Sequence, residues 1–143
     1  MVGLPIIALD IEGTLFSTAV SQFPRPGLFP FLEGVRRITE HVVIYSAANP
    51  DRVRGMLELT VEEGLAPDWF ATIPVYCSAG HEKDLRLINE DWRRVLLVDD
   101  IPTCPADQLV NWIPLLAFEY PYPDTDTELS TILPEIEARA AEL

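Results

Sequence analysis

The stretch IIALDIEGTLF, residues 6–16, runs three apolar residues and an alanine into Asp10, then places Glu12, Gly13 and Thr14 before apolar character returns at Leu15 and Phe16. A buried strand that ends on two carboxylates one residue apart, followed by a glycine and a hydroxyl, has a function at its carboxyl end. Four further runs have strand length and the same dense content of branched aliphatic residues: HVVIYS (41–46), TIPVYC (72–77), RVLLVDD (94–100) and WIPLLAF (112–118). With PIIALD (5–10) they make five, and their weak alternation suits strands covered on both faces of a parallel sheet.

Helical patterns fill the gaps between these runs. Residues 29–40 place Phe31, Leu32, Val35 and Ile38 on one face, and residues 51–63 do the same with Val53, Met56, Leu57 and Val61. The spacing predicts a third helix over 84–92, through Leu85, Ile88 and Trp92, a short one over 105–111, and a terminal one over 126–142 interrupted by Pro134. Alternation of strand and helix predicts an α/β fold with a five-stranded, mostly parallel sheet in a single domain spanning 1–143. Ligands of such folds bind at the carboxyl ends of the strands, near the switch in strand order. Asp10, Ser46, Cys77 and the pair Asp99-Asp100 stand at those ends.

Composition narrows the partners. The formal charge of −13 on 143 residues speaks against nucleic acid and against an anionic membrane surface, both of which would be repelled. The acid excess gathers towards the end, where seven acidic residues from Glu119 onward face only Arg139. Two cysteines, Cys77 and Cys104, read as packing residues of a reduced protein, and the opening MVGLPIIALD lacks the basic region of a signal peptide. A cytoplasmic location is the expectation. Among ten basic residues nine are arginine, and the single lysine, Lys83, lies between the third and fourth strands with His81 nearby in a loop.

Asp10, Asp99, Asp100, Ser46 and Lys83 together outline a magnesium and phosphate site. Carboxylates hold a hard cation by oxygen, lysine neutralises a phosphoryl group, and a serine hydroxyl donates to its oxygens. The motifs resemble those of haloacid dehalogenase superfamily phosphatases: DIEGT for the first, Ser46 in VVIYSAAN for the second, Lys83 for the third and VLLVDD for the fourth. The chain is further similar to the branch that acts on the polymerase C-terminal domain, the NIF-type domain, in RPGLFPFLEGV (25–35), EKDLRLI (82–88) and the run 111–139.

The resemblance implies a Rossmann-like, three-layer domain without a cap, because neither Thr14 to Val42 nor Ala47 to Lys83 has room for one. It implies Asp10 as nucleophile and Glu12 as general acid and base, with Ser46 and Lys83 binding phosphate. It implies Mg2+ held by Asp10, the backbone carbonyl of Glu12, and Asp99, with Asp100 assisting. The function implied is a magnesium-dependent phosphomonoesterase working through an aspartyl-phosphate, on a phosphorylated protein or a small phosphomonoester. Position 12 departs from the family, which usually has Asp there; the polymerase-domain branch reads Asp-Glu-Thr where this chain reads Glu-Gly-Thr. DIEGT does resemble the first motif of enolase-phosphatase. A small-molecule phosphatase, or a phosphate-binding module with little turnover, therefore stands as the alternative. A response-regulator receiver fits less well, since its acidic pair lies on the first strand. The uncapped entrance gives the loop from Phe16 to Leu28, with Phe23, Pro24 and Pro26, as the candidate substrate contact.

Overall fold

In the computed structural model, residues 4–80 and 82–143 are described, so the loop histidine expected at His81 lies outside them. Five strands, β1 (Ile6–Leu9), β2 (Val42–Ser46), β3 (Val75–Cys77), β4 (Val95–Asp99) and β5 (Trp112–Pro114), form one sheet in the order β3-β2-β1-β4-β5. All four pairings are parallel, in registers such as Ile7 with Val42, Leu9 with Val98 and Ser46 with Cys77. The chain steps outward from β1 to β3 on one side, then returns to the other side of β1 for β4. The switch point therefore falls between β1 and β4, the two strands that end on Asp10 and Asp99.

Side chains alternate along the strands and build two cores. Ile7, Leu9, Val42, Ile44, Leu96, Val98 and Ile113 join residues of α1 (Leu28–Ile38), α2 (Pro50–Glu62) and α3 (Glu128–Ala141) in the larger one. Ile6, Ala8, Val43, Tyr45, Val95 and Leu97 form the smaller one on the opposite face, with Leu85, Trp92 and Cys104. All three α-helices thus serve one face. The other is closed by loops and 3-10 turns, so the third of the three expected layers is irregular and thin.

The segment 84–92 accounts for that difference. In place of one helix it forms separate 3-10 turns, Leu85–Leu87 and Trp92–Arg94. The Asp84 carboxylate accepts from the Arg86 amide at 2.9 Å and Asn89 Oδ1 from the Asp91 amide at 2.9 Å. Local side-chain acceptors of this kind compete with the helical ladder, while Leu85 and Trp92 still reach the core. Residues 105–111 likewise form a 3-10 helix, Ala106–Asn111. The terminal helix differs the other way: α3 runs unbroken through Pro134, whose ring lies on the exposed face, where water can take the carbonyl that proline leaves unpaired. Leu129, Ile132, Ile136 and Ala140 keep the buried face continuous.

The loop that delivers Lys83 is fixed from behind by Gln108, which is wholly buried. Its Oε1 accepts from the Leu85 amide at 2.8 Å and its Nε2 donates to the Asp84 carboxylate at 2.8 Å. Gln108→Leu would strand a buried amide, and such a group costs about 1–3 kcal/mol. Urea unfolding is expected to show a loss in that range; a change near zero would mean that the loop is held elsewhere.

Candidate active site

Parallel β1 and β4 deliver Asp10 and Asp99 side by side at the carboxyl edge of the sheet. Asp10 is 6% exposed and Asp99 fully buried. Between them lies the Lys83 ammonium, 3% exposed, donating to Asp10 Oδ1 at 2.7 Å and to Asp99 Oδ2 at 2.8 Å. The Lys83 amide donates to the Thr103 carbonyl at 2.8 Å, and the Thr103 hydroxyl donates to Asp99 Oδ2 at 2.8 Å. Lysine arrives from a loop, just ahead of the segment 84–92 for which the spacing predicts a helix.

Asp100, half-buried, completes a group of three carboxylates in which one oxygen from each lies within 4.8 Å of the others. Thr14, wholly buried, ties this group to the turn after β1: its hydroxyl lies 2.8 Å from Asp10 Oδ2 and 3.3 Å from Asp100 Oδ1. Gly13 has a positive φ of 79°, and a Cβ there would meet Asp100 Oδ2 at 2.6 Å. Only a glycine gives both the turn and the room for the Asp100 carboxylate. A glycine after a strand is visible in the sequence as a turn residue, but its close approach to Asp100 is tertiary.

Were all three carboxylates ionised, they would face one ammonium and leave two negative charges unbalanced in a mostly buried place. Burial pushes the Asp10 carboxyl well above its ordinary range, with Lys83 opposing and Asp99 adding to the rise. Burial also lifts Asp100. For Lys83 burial acts downward, but the attraction of Asp10 and Asp99 outweighs it, and the ammonium is held above its usual range. An all-oxygen donor set with this residual charge fits one hard divalent cation.

Ser46 closes β2 beside β1, is 1% exposed, and accepts from the Ala48 amide at 3.0 Å. Glu12 stands apart from the carboxylate group. Its side chain is exposed, and Oε2 accepts from the Ala19 amide at 2.9 Å, so it is held by the loop after β1. That loop carries Val20 at 80% exposure, while Phe23 packs its ring against Tyr122 at 5.7 Å between centroids. Phe23 thus faces the C-terminal segment as well as solvent. Cys104 is buried and Cys77 half-buried, and both are free, as packing residues would be. Thr14, Thr103, Gln108 and Arg25 were not among the site residues named from the sequence. Thr14 had a signal in the hydroxyl that closes DIEGT; Arg25, described below, had none beyond its place in RPGLF.

A parallel sheet of this order, with carboxylates at the ends of its two central strands and a lysine between them, defines a haloacid dehalogenase-like phosphatase domain without a cap. The chain belongs to the NLI interacting factor-like phosphatase family (NIF), whose model matches residues 5–142. It is 28% identical over 145 residues to the mitochondrial import inner membrane translocase subunit TIM50 of Phytophthora infestans. That similarity covers 97% of this chain and 35% of the relative, so the chain spans well under two thirds of its length. No helix among the described residues is long and apolar enough to cross a membrane.

The raised carboxyls give a pH signature. Without a divalent cation, the folded chain keeps protons on Asp10 and Asp100 that the unfolded chain has released. Stability should therefore fall as pH rises from the ordinary carboxylate range through the raised values. Mg2+ should remove most of that fall and release protons on binding. Denaturant titrations across pH, with chelator and with Mg2+, check this; parallel curves with no proton release would contradict a cation at these carboxylates.

Proposed function

We propose that this domain is a magnesium-dependent phosphomonoesterase that works through a phosphorylated Asp10. The observation that carries the reading is the Lys83 ammonium bonded to both Asp10 and Asp99, with Asp100 beside them, in a chain of the NIF phosphatase family. Asp10, Asp99 and the Glu12 carbonyl, with Asp100, would hold Mg2+. The ion would supply charge to the phosphoryl oxygens and hold the substrate in line.

The remaining steps belong to the chain's own residues. Lys83 opposes protonation of Asp10 and, with Ser46, binds the phosphoryl oxygens. An Asp10 oxygen forms a bond to phosphorus while the ester P–O bond breaks, and Glu12 gives its proton to the departing oxygen. Glu12 then takes a proton from water as the water oxygen bonds to phosphorus. The bond between phosphorus and Asp10 breaks, and inorganic phosphate leaves. For either transfer Glu12 must release the Ala19 amide and turn towards the site. The longer glutamate arm suits that travel between two positions. With no cap above it, the site suits a phosphorylated protein as well as a small phosphomonoester.

Glu12's bond to Ala19 also favours a second reading, a phosphate-binding module whose acid stays parked on the loop. Hydrolysis of an aryl phosphate separates the two. The phosphatase reading predicts turnover that excess chelator abolishes and that Asp10→Asn lowers by several orders of magnitude. Glu12→Gln should keep Mg2+ binding and lose about 10²–10⁴-fold in turnover, the range for general acid–base catalysis. If the parent and Glu12→Gln are equally inert towards every phosphomonoester tried, yet bind phosphate and Mg2+, the binding module is the better account.

A further inference from the structure

Beneath the turn that carries Gly13 and Thr14 lies a second buried cation. Arg25 is 1% exposed, and all five of its guanidinium N–H donors have acceptors. Nε and Nη2 grip the Asp126 carboxylate at 2.9 and 3.1 Å. Nη2 also donates to the Leu116 carbonyl at 2.7 Å, and Nη1 donates to the Gly13 and Thr14 carbonyls, each at 3.2 Å. The Phe118 ring lies 5.4 Å from the guanidinium, and the Phe118 amide donates to the Gly13 carbonyl at 2.8 Å. One side chain thus fastens the turn after β1 to the segment that follows β5 and to the start of α3.

The turn it fastens is the one whose Thr14 hydroxyl reaches Asp10 and Asp100. We infer that Arg25, backed by Asp126, is a positioning residue: by holding the Gly13 and Thr14 carbonyls it sets the Thr14 hydroxyl, and through it the spacing of the Asp10 and Asp100 oxygens that take the divalent cation. The inference rests on the cation site of the proposed function. Lysine could not substitute, because a compact ammonium has three donors and no fork to span a carboxylate and three carbonyls at once. An anchor for the fold alone would need Asp126 and Leu116; it would not need two donors on the carbonyls of the very turn that meets the carboxylates. Thr14→Val cuts the same path at its last link and leaves Arg25 in place.

The test measures metal binding directly, with Mn2+ as the probe and its electron paramagnetic resonance signal as the readout, alongside thermal unfolding of each variant. Arg25→Lys and Thr14→Val should each weaken Mn2+ binding about 10–100-fold, the loss typical of partners that orient metal ligands. The double variant should be no weaker than the worse single one, because both act through one path. Asp126→Asn should show a smaller loss, and Ile136→Val, a core change in α3, should lower the unfolding temperature without moving Mn2+ affinity. Should Arg25→Lys fail to fold, Asp126→Asn and Thr14→Val carry the test. Parent-like Mn2+ affinity in Arg25→Lys or Asp126→Asn with a lowered unfolding temperature would overturn the inference, as would losses that multiply in the double variant. A parent that binds no Mn2+ would sink both the inference and the cation site beneath it, a result distinct from either.

Discussion

The arrangement turns on one buried ammonium. Taking the Lys83 charge out of water costs several kcal/mol, and its bonds to Asp10 and Asp99 must return that. They can do so only where two carboxylates stand on adjacent strands. The β1–β4 pairing satisfies this condition, with Leu9 beside Val98 so that the next residues on each strand fall together. Removal of Lys83 alone would leave two buried carboxylates and Asp100 repelling one another. The arrangement is a poor device for stability, and its three carboxylates fit a hard cation better than they fit one another.

Two scaffolds hold this centre from opposite sides. On the side of β4, Gln108 fixes the backbone of the Lys83 loop, and Thr103 binds both the Lys83 amide and the Asp99 carboxylate. On the side of β1, Arg25 holds the turn that presents Thr14. Gly13 allows the two sides to meet, since any side chain there would displace Asp100. Only Glu12 escapes this rigidity. It sits at the exposed end of the turn, bound only to a loop amide, where a side chain keeps freedom to move.

Much of this was legible in the chain. Five dense aliphatic runs give the sheet, and the carboxylates that close two of them mark the rim, because a carboxylate at the end of a buried strand must be matched by a partner there. The single lysine among nine arginines stood out for the same reason: the centre needs a compact ammonium. What could not be read was tertiary. Leu85, Ile88 and Trp92 keep helical spacing, yet Asp84 and Asn89 divert the backbone into turns. Pro134 looks like a break until α3 is seen to turn it outward. Arg25 and Asp126 lie a hundred residues apart and carry no local pattern, so their pairing is invisible until the chain is folded.

Phosphorylation of Asp10 itself, on which the proposed phosphatase reading depends, can be observed directly. Rapid mixing with an aryl phosphate labelled on phosphorus, quenched in acid within the first turnover, should leave the label on the peptide that contains Asp10. The label should be released by hydroxylamine, as an acyl phosphate is, and be missing from Asp10→Asn. A protein that turns over substrate rapidly, with label never appearing on Asp10 under any quench, would contradict the account.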